Sequence, residues 1–289
     1  MADKVGVLGL GNMGRGMAAS LRRAGFEVSG YDAAPAALRQ AASDGIRPAG
    51  SVAELASAVD MLVMSLPASA IVEAVVFGED GVLAGAQPGL IVIDTTTADP
   101  ASTRRVAAAL HDKGIRFIDA PVSGGAKGAA SASLTMVLGG DAAAIAAAEP
   151  VLAAMSARRT HVGPVSAGHV VKLLNNLLCG AHLLIAGEAM RAAKQGGLDP
   201  ATVLRAINGG SGRSAVTEVN YPTWILDEQF DSGFTMKLMR KDIALARALF
   251  DDLGVTTPFA QACAALWADS SAQLADAEDF NRIVQFEPK

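Results

Sequence analysis

The chain has 289 residues, of which 51% are hydrophobic and 18% are charged, and its net charge is −5 at neutral pH. This length allows one large domain or two smaller ones, and the composition is typical of a packed globular protein. Like charges do not cluster, so we expect neither a nucleic-acid partner nor a polybasic membrane-binding patch. The N-terminal residues lack a signal-peptide pattern, and Cys179 and Cys263 are too few for a disulfide framework. We therefore expect a cytoplasmic protein with two reduced, buried thiols.

Short apolar runs alternate with segments of helical periodicity over the first 164 residues. The apolar runs cover 4–9, 26–31, 61–66, 90–94, 115–118 and 134–138. The helical segments cover 12–24, 35–43, 51–58, 69–76, 100–113 and 142–156. Strands that alternate with helices indicate a parallel, doubly wound sheet, because each crossover helix covers a sheet face. The sequence therefore predicts an α/β domain over residues 1–164.

Beyond residue 164 only helical patterns are found. They cover 166–194, 200–208, 215–227, 235–252 and 257–273, which predicts an all-helical domain over 165–289 that begins with an interdomain helix. This first helix is apolar yet contains Lys172, Asn175 and Asn176, so it is a poor membrane span. A buried ammonium costs several kcal/mol unless it is paired or used, which makes Lys172 a candidate functional residue.

The first predicted strand leads into a glycine-rich turn followed by a helix. The turn consists of Gly9, Leu10, Gly11, Asn12, Met13 and Gly14. In this G-x-G-x-x-G pattern the first glycine permits a tight turn, the second lets the backbone approach a pyrophosphate, and the third lets helix and strand pack closely. The helix N-terminus supplies N–H groups to the phosphate. A purely structural glycine turn is the alternative, but the context on both sides predicts a Rossmann-type dinucleotide site.

Asp32 ends the second predicted strand, 18 residues after Gly14. An acidic side chain at this position is expected to accept hydrogen bonds from the adenosine ribose of the cofactor. The alternative is an Asx turn before Pro35. No Arg or Lys lies between Asp32 and Arg39 to bind a 2′-phosphate, so NAD is favoured over NADP as the cofactor.

Four separated motifs together resemble the β-hydroxyacid dehydrogenase family over essentially the whole chain. They are GLGNMG at 9–14, DAPVSGG at 119–125, Gly168-x-x-x-Lys172-x-x-x-Asn176, and Lys241-Asp242. The resemblance implies NAD-dependent oxidation of a small β-hydroxycarboxylic acid of the 3-hydroxyisobutyrate, threonate or tartronate-semialdehyde/glycerate type. It also implies a homodimer or homotetramer, and no metal site.

The resemblance further assigns roles to individual residues. Lys172 matches the family's catalytic acid/base, and partial burial would lower a lysine pKa towards working pH. Asn176, four residues on, shares its helix face and can hold the amine or the substrate. The remaining matches are Ser123, Gly124 and Gly125 for the substrate carboxylate, Leu66, Pro67 and Thr97 for the nicotinamide and its ribose, and Lys241 for the cofactor and substrate cleft. His169 is interpreted as a structural group rather than a second base.

Two other functions share this architecture. One is an imine reductase, and the other is a non-enzymatic nucleotide-binding module. Relatives of both kinds usually lack the lysine that matches Lys172, and the non-enzymatic modules carry basic extensions that this chain lacks. Lys172 therefore favours the dehydrogenase.

Overall fold

A computed structural model describes residues 4–288. The chain forms two compact units that divide between Lys172 and Leu173. The long helix that carries both residues therefore contributes its first residues to the N-terminal unit and the rest to the C-terminal unit.

The N-terminal unit contains a nine-stranded sheet. Its strands are β1 (Lys4–Leu8), β2 (Glu27–Tyr31), β3 (Arg47–Pro48), β4 (Met61–Met64), β5 (Ile91–Asp94), β6 (Arg116–Asp119), β7 (Val122–Ser123), β8 (Leu134–Gly140) and β9 (Ser156–Gly163). The order is β3-β2-β1-β4-β5-β6-β8-β7, and β9 also pairs with β8. From β3 to β6 all neighbours are parallel, which confirms the predicted doubly wound sheet for this part.

The far side of the sheet differs from the prediction. Strand β8 runs antiparallel to β6 and β7, and β9 runs parallel to β8. A crossover helix is needed only between parallel neighbours, and the connection from β6 to β8 contains β7 and a short helix instead. Strand β9 was not predicted because its SARRTHVG sequence is mostly exposed and carries no apolar run.

The helices of this unit agree with the six predicted segments and add two short ones. Their bounds are α1 (Asn12–Arg23), α2 (Pro35–Ser43), α3 (Val52–Ala58), α4 (Ser69–Phe77), α5 (Val82–Gly85), α6 (Pro100–His111), α7 (Gly125–Ala130) and α8 (Ala142–Met155). The unpredicted helices, α5 and α7, are only four and six residues long. Segments of this length are too short to show a helical period.

The central strands are buried on both faces. Val5, Val7 and Val63 belong to one apolar cluster. Leu8 and Leu62, which alternate with them along the strands, belong to a second cluster. Because helices cover both faces, these strands appear in the sequence as continuous apolar runs rather than as an alternating pattern.

The C-terminal unit is helical, as predicted. It contains the later part of α9 (Ala167–Gln195), then α10 (Pro200–Asn208), a π-helix (Val216–Ile225), α11 (Met236–Asp252), α12 (Pro258–Asp269) and two 3-10 helices (Ser270–Ala272 and Phe280–Gln285). One isolated antiparallel bridge joins Thr235 to Asp279. In its core, Trp267 is fully buried and its indole N–H donates to the Gly180 carbonyl.

Helix α9 is long and apolar enough to span a membrane, judged by length and composition alone. In the folded chain, 44% of its most apolar window is buried. Core helices of soluble proteins pass the same test, and the lysine and asparagines in its first half argue against a lipid environment.

Candidate functional site

The carboxyl ends of five parallel strands meet at one edge of the sheet. In register, Leu8 pairs with Tyr31 and with Met64, Met64 pairs with Asp94, and Asp94 pairs with Asp119. Apart from Lys172 on α9, the predicted site residues of this unit follow these strand ends within a few positions, from Gly9 after β1 to Gly125 after β6. In open parallel sheets this edge, on either side of β1, is where ligands bind. The fold therefore brings these separate motifs to one edge.

The glycine turn has the geometry that a dinucleotide requires. Gly9 has φ +90°, and a Cβ there would collide with the Ser65 carbonyl. A Cβ on Gly14 would collide with the Gly9 carbonyl, so this glycine allows the helix to approach the turn. At Gly11, by contrast, a Cβ would meet no described atom within 4 Å. The backbone at Gly11 thus faces open space, as the close approach of a pyrophosphate requires.

The first turn of α1 offers its N–H groups to that space. Gly11 is the N-cap residue, and no side chain within residues 4–288 caps the helix. The first N–H groups of a helix lack intrahelical partners and favour an anion. Asn12 is exposed and Met13 is half-buried, whereas Leu10 is buried in the sheet core. The turn and helix start therefore fit a cofactor phosphate, with Leu10 as their apolar anchor.

Asp32 accepts two backbone hydrogen bonds. The Leu10 N–H donates to Oδ2 at 2.7 Å, and the Ala34 N–H donates to Oδ1 at 2.8 Å. The bond from Ala34 forms the Asx turn that was the alternative interpretation of Asp32. The bond from Leu10 connects the carboxylate to the glycine turn. Each carboxylate oxygen can accept a further hydrogen bond. A structural role and a ribose contact are therefore compatible at Asp32.

The loops after β4 and β5 are joined by hydrogen bonds. The Leu66 N–H donates to Thr96 Oγ1 at 3.2 Å, and the Thr96 N–H donates to Asp94 Oδ1 at 3.0 Å. Leu66 and Thr97 are half-buried, and Pro67 is exposed. The structure thus places these three predicted cofactor residues on adjoining loops. Thr96, which connects the loops, was not identified from the sequence.

Lys172 lies against the predicted substrate loop. Its side chain is buried, with 8% exposure, and its Nζ donates to Ser123 Oγ at 3.1 Å. Ser123, Gly124 and Gly125 are exposed. Both glycines have positive φ, +121° and +62°, a conformation that strains residues with a side chain. The structure therefore brings together the predicted acid/base and the predicted carboxylate-binding loop, which are 49 residues apart in sequence.

Two buried carboxylates lie at the neighbouring ends of β5 and β6, near His169. Burial raises the pKa of Asp94, nearby His169 lowers it, and Asp119 raises it further. His169 is fully buried, and its Nδ1 lies 2.7 Å from Thr103 Oγ1. Thr103 itself donates to the Asp99 carbonyl, so the ring nitrogen is the donor to Thr103. In the sequence, Asp94 and Asp119 are the aspartates that end the apolar runs LIVID and RFID.

In the C-terminal unit, Asp242 holds two predicted site residues. The Asn176 Nδ2 donates to Asp242 Oδ2 at 2.6 Å, and Lys241 Nζ pairs with Oδ1 at 3.1 Å. Asn175 Nδ2 donates to Asn176 Oδ1 at 3.1 Å. The Asn176 amide is therefore fixed in one orientation. Asp242 belongs to the Lys241-Asp242 motif, but its role as the buried partner of Asn176 was not predicted from the sequence.

Within residues 4–288, no cluster of three or more His, Cys, Asp or Glu side chains is arranged to hold a metal ion. Of the two thiols, Cys263 is buried, and burial raises its pKa to about 11. Cys179 is only half-buried, so the expectation that both are core residues was wrong for this one. It lies where α9 turns one side towards solvent.

Two family models match the chain. The NAD-binding domain of 6-phosphogluconate dehydrogenase matches residues 4–163. The NAD-binding domain of NADP-dependent 3-hydroxyisobutyrate dehydrogenase matches residues 166–286. Together they cover nearly the whole chain.

Individual relatives match at similar length. A 2-(hydroxymethyl)glutarate dehydrogenase of Eubacterium barkeri is 33% identical, covering 98% of this chain and 94% of that protein. An L-threonate dehydrogenase of Cupriavidus necator is 38% identical, covering 85% of this chain and 82% of that protein. The solved structure of Mycobacterium tuberculosis 3-hydroxyisobutyrate dehydrogenase with L-serine is 34% identical, covers 99% of both chains, and has a TM-score of 0.93.

The buried Asp94 generates a prediction on stability and pH. Its raised pKa means that the folded state binds the proton more tightly than the unfolded state does. The wild type should therefore lose stability, relative to Asp94→Asn, as pH rises above the pKa of an unfolded aspartate. We expect the difference in unfolding free energy between the wild type and Asp94→Asn to grow as the pH rises from 4 to 8. Urea unfolding at a series of pH values measures it, and a constant difference would contradict the prediction.

Proposed function

Because the chain belongs to the family of 3-hydroxyisobutyrate dehydrogenase and related β-hydroxyacid dehydrogenases, we propose that it oxidises a small β-hydroxycarboxylic acid with Lys172 as acid/base. The chain is an NAD(P)-dependent oxidoreductase that acts on CH–OH groups. The roles of individual residues follow the family resemblance, and the contacts of Lys172, Ser123 and Asp32 support them.

The observation that carries the proposal is the pairing of Lys172 with the substrate loop. A buried ammonium 3.1 Å from Ser123 Oγ lies beside two glycines whose backbone N–H groups are accessible to a carboxylate. A β-hydroxy acid bound by this loop would therefore present its hydroxyl group near the amine.

Each residue then has one task in the oxidation. Ser123, Gly124 and Gly125 bind the substrate carboxylate and fix its orientation. Lys172, in its neutral form, takes the proton from the hydroxyl group as the carbinol carbon becomes a carbonyl, and returns it in the reverse direction. A bound nicotinamide would supply the acceptor for the hydride that leaves that carbon. Asn176, oriented by Asp242, assists by hydrogen bonding to the amine or the substrate.

The cofactor is assigned to the strand ends of the N-terminal unit. Residues 9–14 hold the pyrophosphate, Asp32 the adenosine ribose, and Leu66, Pro67 and Thr97 line the nicotinamide and its ribose, with Lys241 as a further contact. We assign residues 1–164 to cofactor binding and residues 165–289 to substrate binding and oligomerisation. NAD is preferred to NADP because of the Asp32 carboxylate.

The substrate belongs to the small hydroxycarboxylic acids. The relatives compared above are named for 2-(hydroxymethyl)glutarate, L-threonate and 3-hydroxyisobutyrate. These acids share a carboxylate and a hydroxyl group but differ in the rest of the molecule. We therefore propose substrates of the 3-hydroxyisobutyrate, threonate or glycerate type, in a cytoplasmic enzyme.

Replacing Lys172 tests the acid/base assignment. We expect Lys172→Ala to lower kcat by about 10²–10⁴-fold on the best substrate of a hydroxy-acid panel, because it removes the general base. Binding of NADH, measured by fluorescence, should be almost unchanged. Added methylamine should restore part of kcat, since it supplies an amine of similar basicity to the space left by the side chain.

The matched control for this experiment is Lys194→Ala, an exposed lysine in the last turn of the same helix. It should retain wild-type kinetics. A Lys172→Ala variant that keeps half of the wild-type kcat would refute the assignment.

Cofactor preference tests the role of Asp32. A 2′-phosphate beside this carboxylate would meet a like charge, a repulsion of a few kcal/mol at most once screening is included. We expect kcat/KM for NAD to exceed that for NADP by at least about tenfold. Asp32→Ser combined with Ala33→Arg should narrow or invert the preference, since a guanidinium suits phosphate.

Asp32→Asn serves as the control for the structural role of this residue. It removes the charge, keeps a carbonyl oxygen for one of the two backbone N–H groups, and leaves the other N–H facing an NH₂ group. We expect a cofactor preference between those of the wild type and the double variant, with some loss of stability. Equal kcat/KM values for NAD and NADP in the wild type would show that Asp32 only caps the turn.

The exposed side of α9 supports a homodimer or homotetramer. Leu178 and Ile185 lie two turns apart on this helix and are 59% and 54% exposed. Light scattering should give two or four times the mass of one chain. Leu178→Glu with Ile185→Glu should shift the protein towards the monomer, because charges buried in an interface are costly. Leu198→Glu, an exposed leucine beyond the end of the helix, should not, and a monomeric wild type would contradict the proposal.

A further inference from the structure

The side chain of Asp119 caps the start of helix α9. Asp119 is fully buried, and its two carboxylate oxygens accept the N–H groups of Ser166 (2.7 Å) and His169 (2.9 Å). These donors lie 47 and 50 residues further along the chain. A helix start has N–H groups without intrahelical partners, and a carboxylate is the strongest common acceptor for them. One side chain of β6 therefore fixes where α9 begins.

The backbone at this cap is held in a strained conformation. Ser166 has φ +78°, although it is not a glycine. Its N–H is bound by Asp119, and its hydroxyl accepts a hydrogen bond from Arg104 Nη1 at 3.2 Å. Such a conformation persists only where the surroundings determine it. The Asp119 bond is thus part of what keeps the entry into α9 in a single geometry.

Two glycines make room for the carboxylate. A Cβ on Gly139 would lie 2.5 Å from Asp119 Oδ1, and a Cβ on Gly168 would lie 2.8 Å from Oδ2. A Cβ on Gly168 would also lie 2.7 Å from the Val137 carbonyl. This contact explains the first glycine of the Gly168-x-x-x-Lys172 spacing. A side chain at either position would therefore displace the carboxylate, β8 or the start of α9.

The same residue also begins the substrate loop. Asp119 is the last residue of β6, four positions before Ser123, and Lys172 follows His169 by about one helical turn. The hydrogen bond from Lys172 Nζ to Ser123 Oγ therefore completes a closed series of contacts through the loop, the Asp119 side chain and the first turn of α9.

We propose that Asp119 is a positioning residue that sets the distance between the Lys172 amine and the substrate carboxylate site. This inference rests on the proposed role of Lys172.

The size of the expected effect follows from the sensitivity of catalysis to distance. A displacement of about 1 Å can cost on the order of 10²-fold in rate. Asp119→Asn keeps the size of the side chain but leaves one of the two N–H groups facing an NH₂ group. We expect kcat to fall about 10- to 100-fold, with KM for NAD changed by less than about threefold.

The solvent isotope effect on kcat separates positioning from a simple loss of folded enzyme. The proton that Lys172 takes exchanges with solvent, so a misplaced amine makes its transfer more rate-limiting and enlarges the effect in D₂O. Unfolding of part of the enzyme lowers kcat but leaves both the isotope effect and KM unchanged. Gly168→Ala, which displaces the same helix start without replacing the Asp119 side chain, should reproduce the kcat loss and the enlarged isotope effect.

Asp141→Asn is the control, because Asp141 caps α8 by accepting the Ala144 N–H at 2.9 Å and belongs to no part of the site. It should leave kcat and the isotope effect unchanged. The inference is overturned if folded Asp119→Asn keeps kcat within about threefold of wild type, or loses kcat with an unaltered isotope effect. Failure of the proposed function is distinct, because Lys172→Ala would then remain active.

Discussion

The common register of the parallel strands is the constraint on which the N-terminal site depends. Strands β1, β2, β4, β5 and β6 are paired so that their carboxyl ends coincide at one edge. Parallel strands demand helical crossovers, and each crossover returns the chain to the opposite edge. Every loop that leaves the carboxyl ends therefore opens on the same side. The glycine turn, Asp32 and the loop that carries Ser123 all open on the same side of the sheet for this reason.

Buried carboxylates are the second recurring feature. Asp94, Asp119 and Asp242 are almost completely buried, and each accepts hydrogen bonds from groups in or beside the site. A desolvated carboxylate is costly unless donors surround it. Each therefore fixes its donors firmly: Asp94 holds the loop after β5, Asp119 holds the start of α9, and Asp242 holds an amide and an ammonium. In each unit, buried carboxylates thus hold backbone or side-chain groups next to predicted site residues.

Much of the fold could be predicted from local patterns. The apolar runs of the central strands and the periodicity of the longer helices are properties of adjacent residues, so they appear in the sequence. The position of β9 and the antiparallel direction of β8 were not predicted. Both depend on pairing with a neighbouring strand, which the local sequence does not show. The π-helix over Val216–Ile225 contains Pro222. Its apolar pattern indicated a helix but not the wider hydrogen-bond spacing.

Three features could be identified from the sequence alone: the glycine turn, the aspartate at the end of β2, and a lysine on an apolar helix. Each is a pattern of neighbouring residues, so it does not depend on the rest of the fold. Only the tertiary structure decided that Lys172 contacts Ser123, that Asp119 caps α9, and that Asp242 holds Asn176. These contacts join residues 47 to 66 positions apart. Contacts of this range depend on strand register and helix packing, which are properties of the whole chain rather than of any segment.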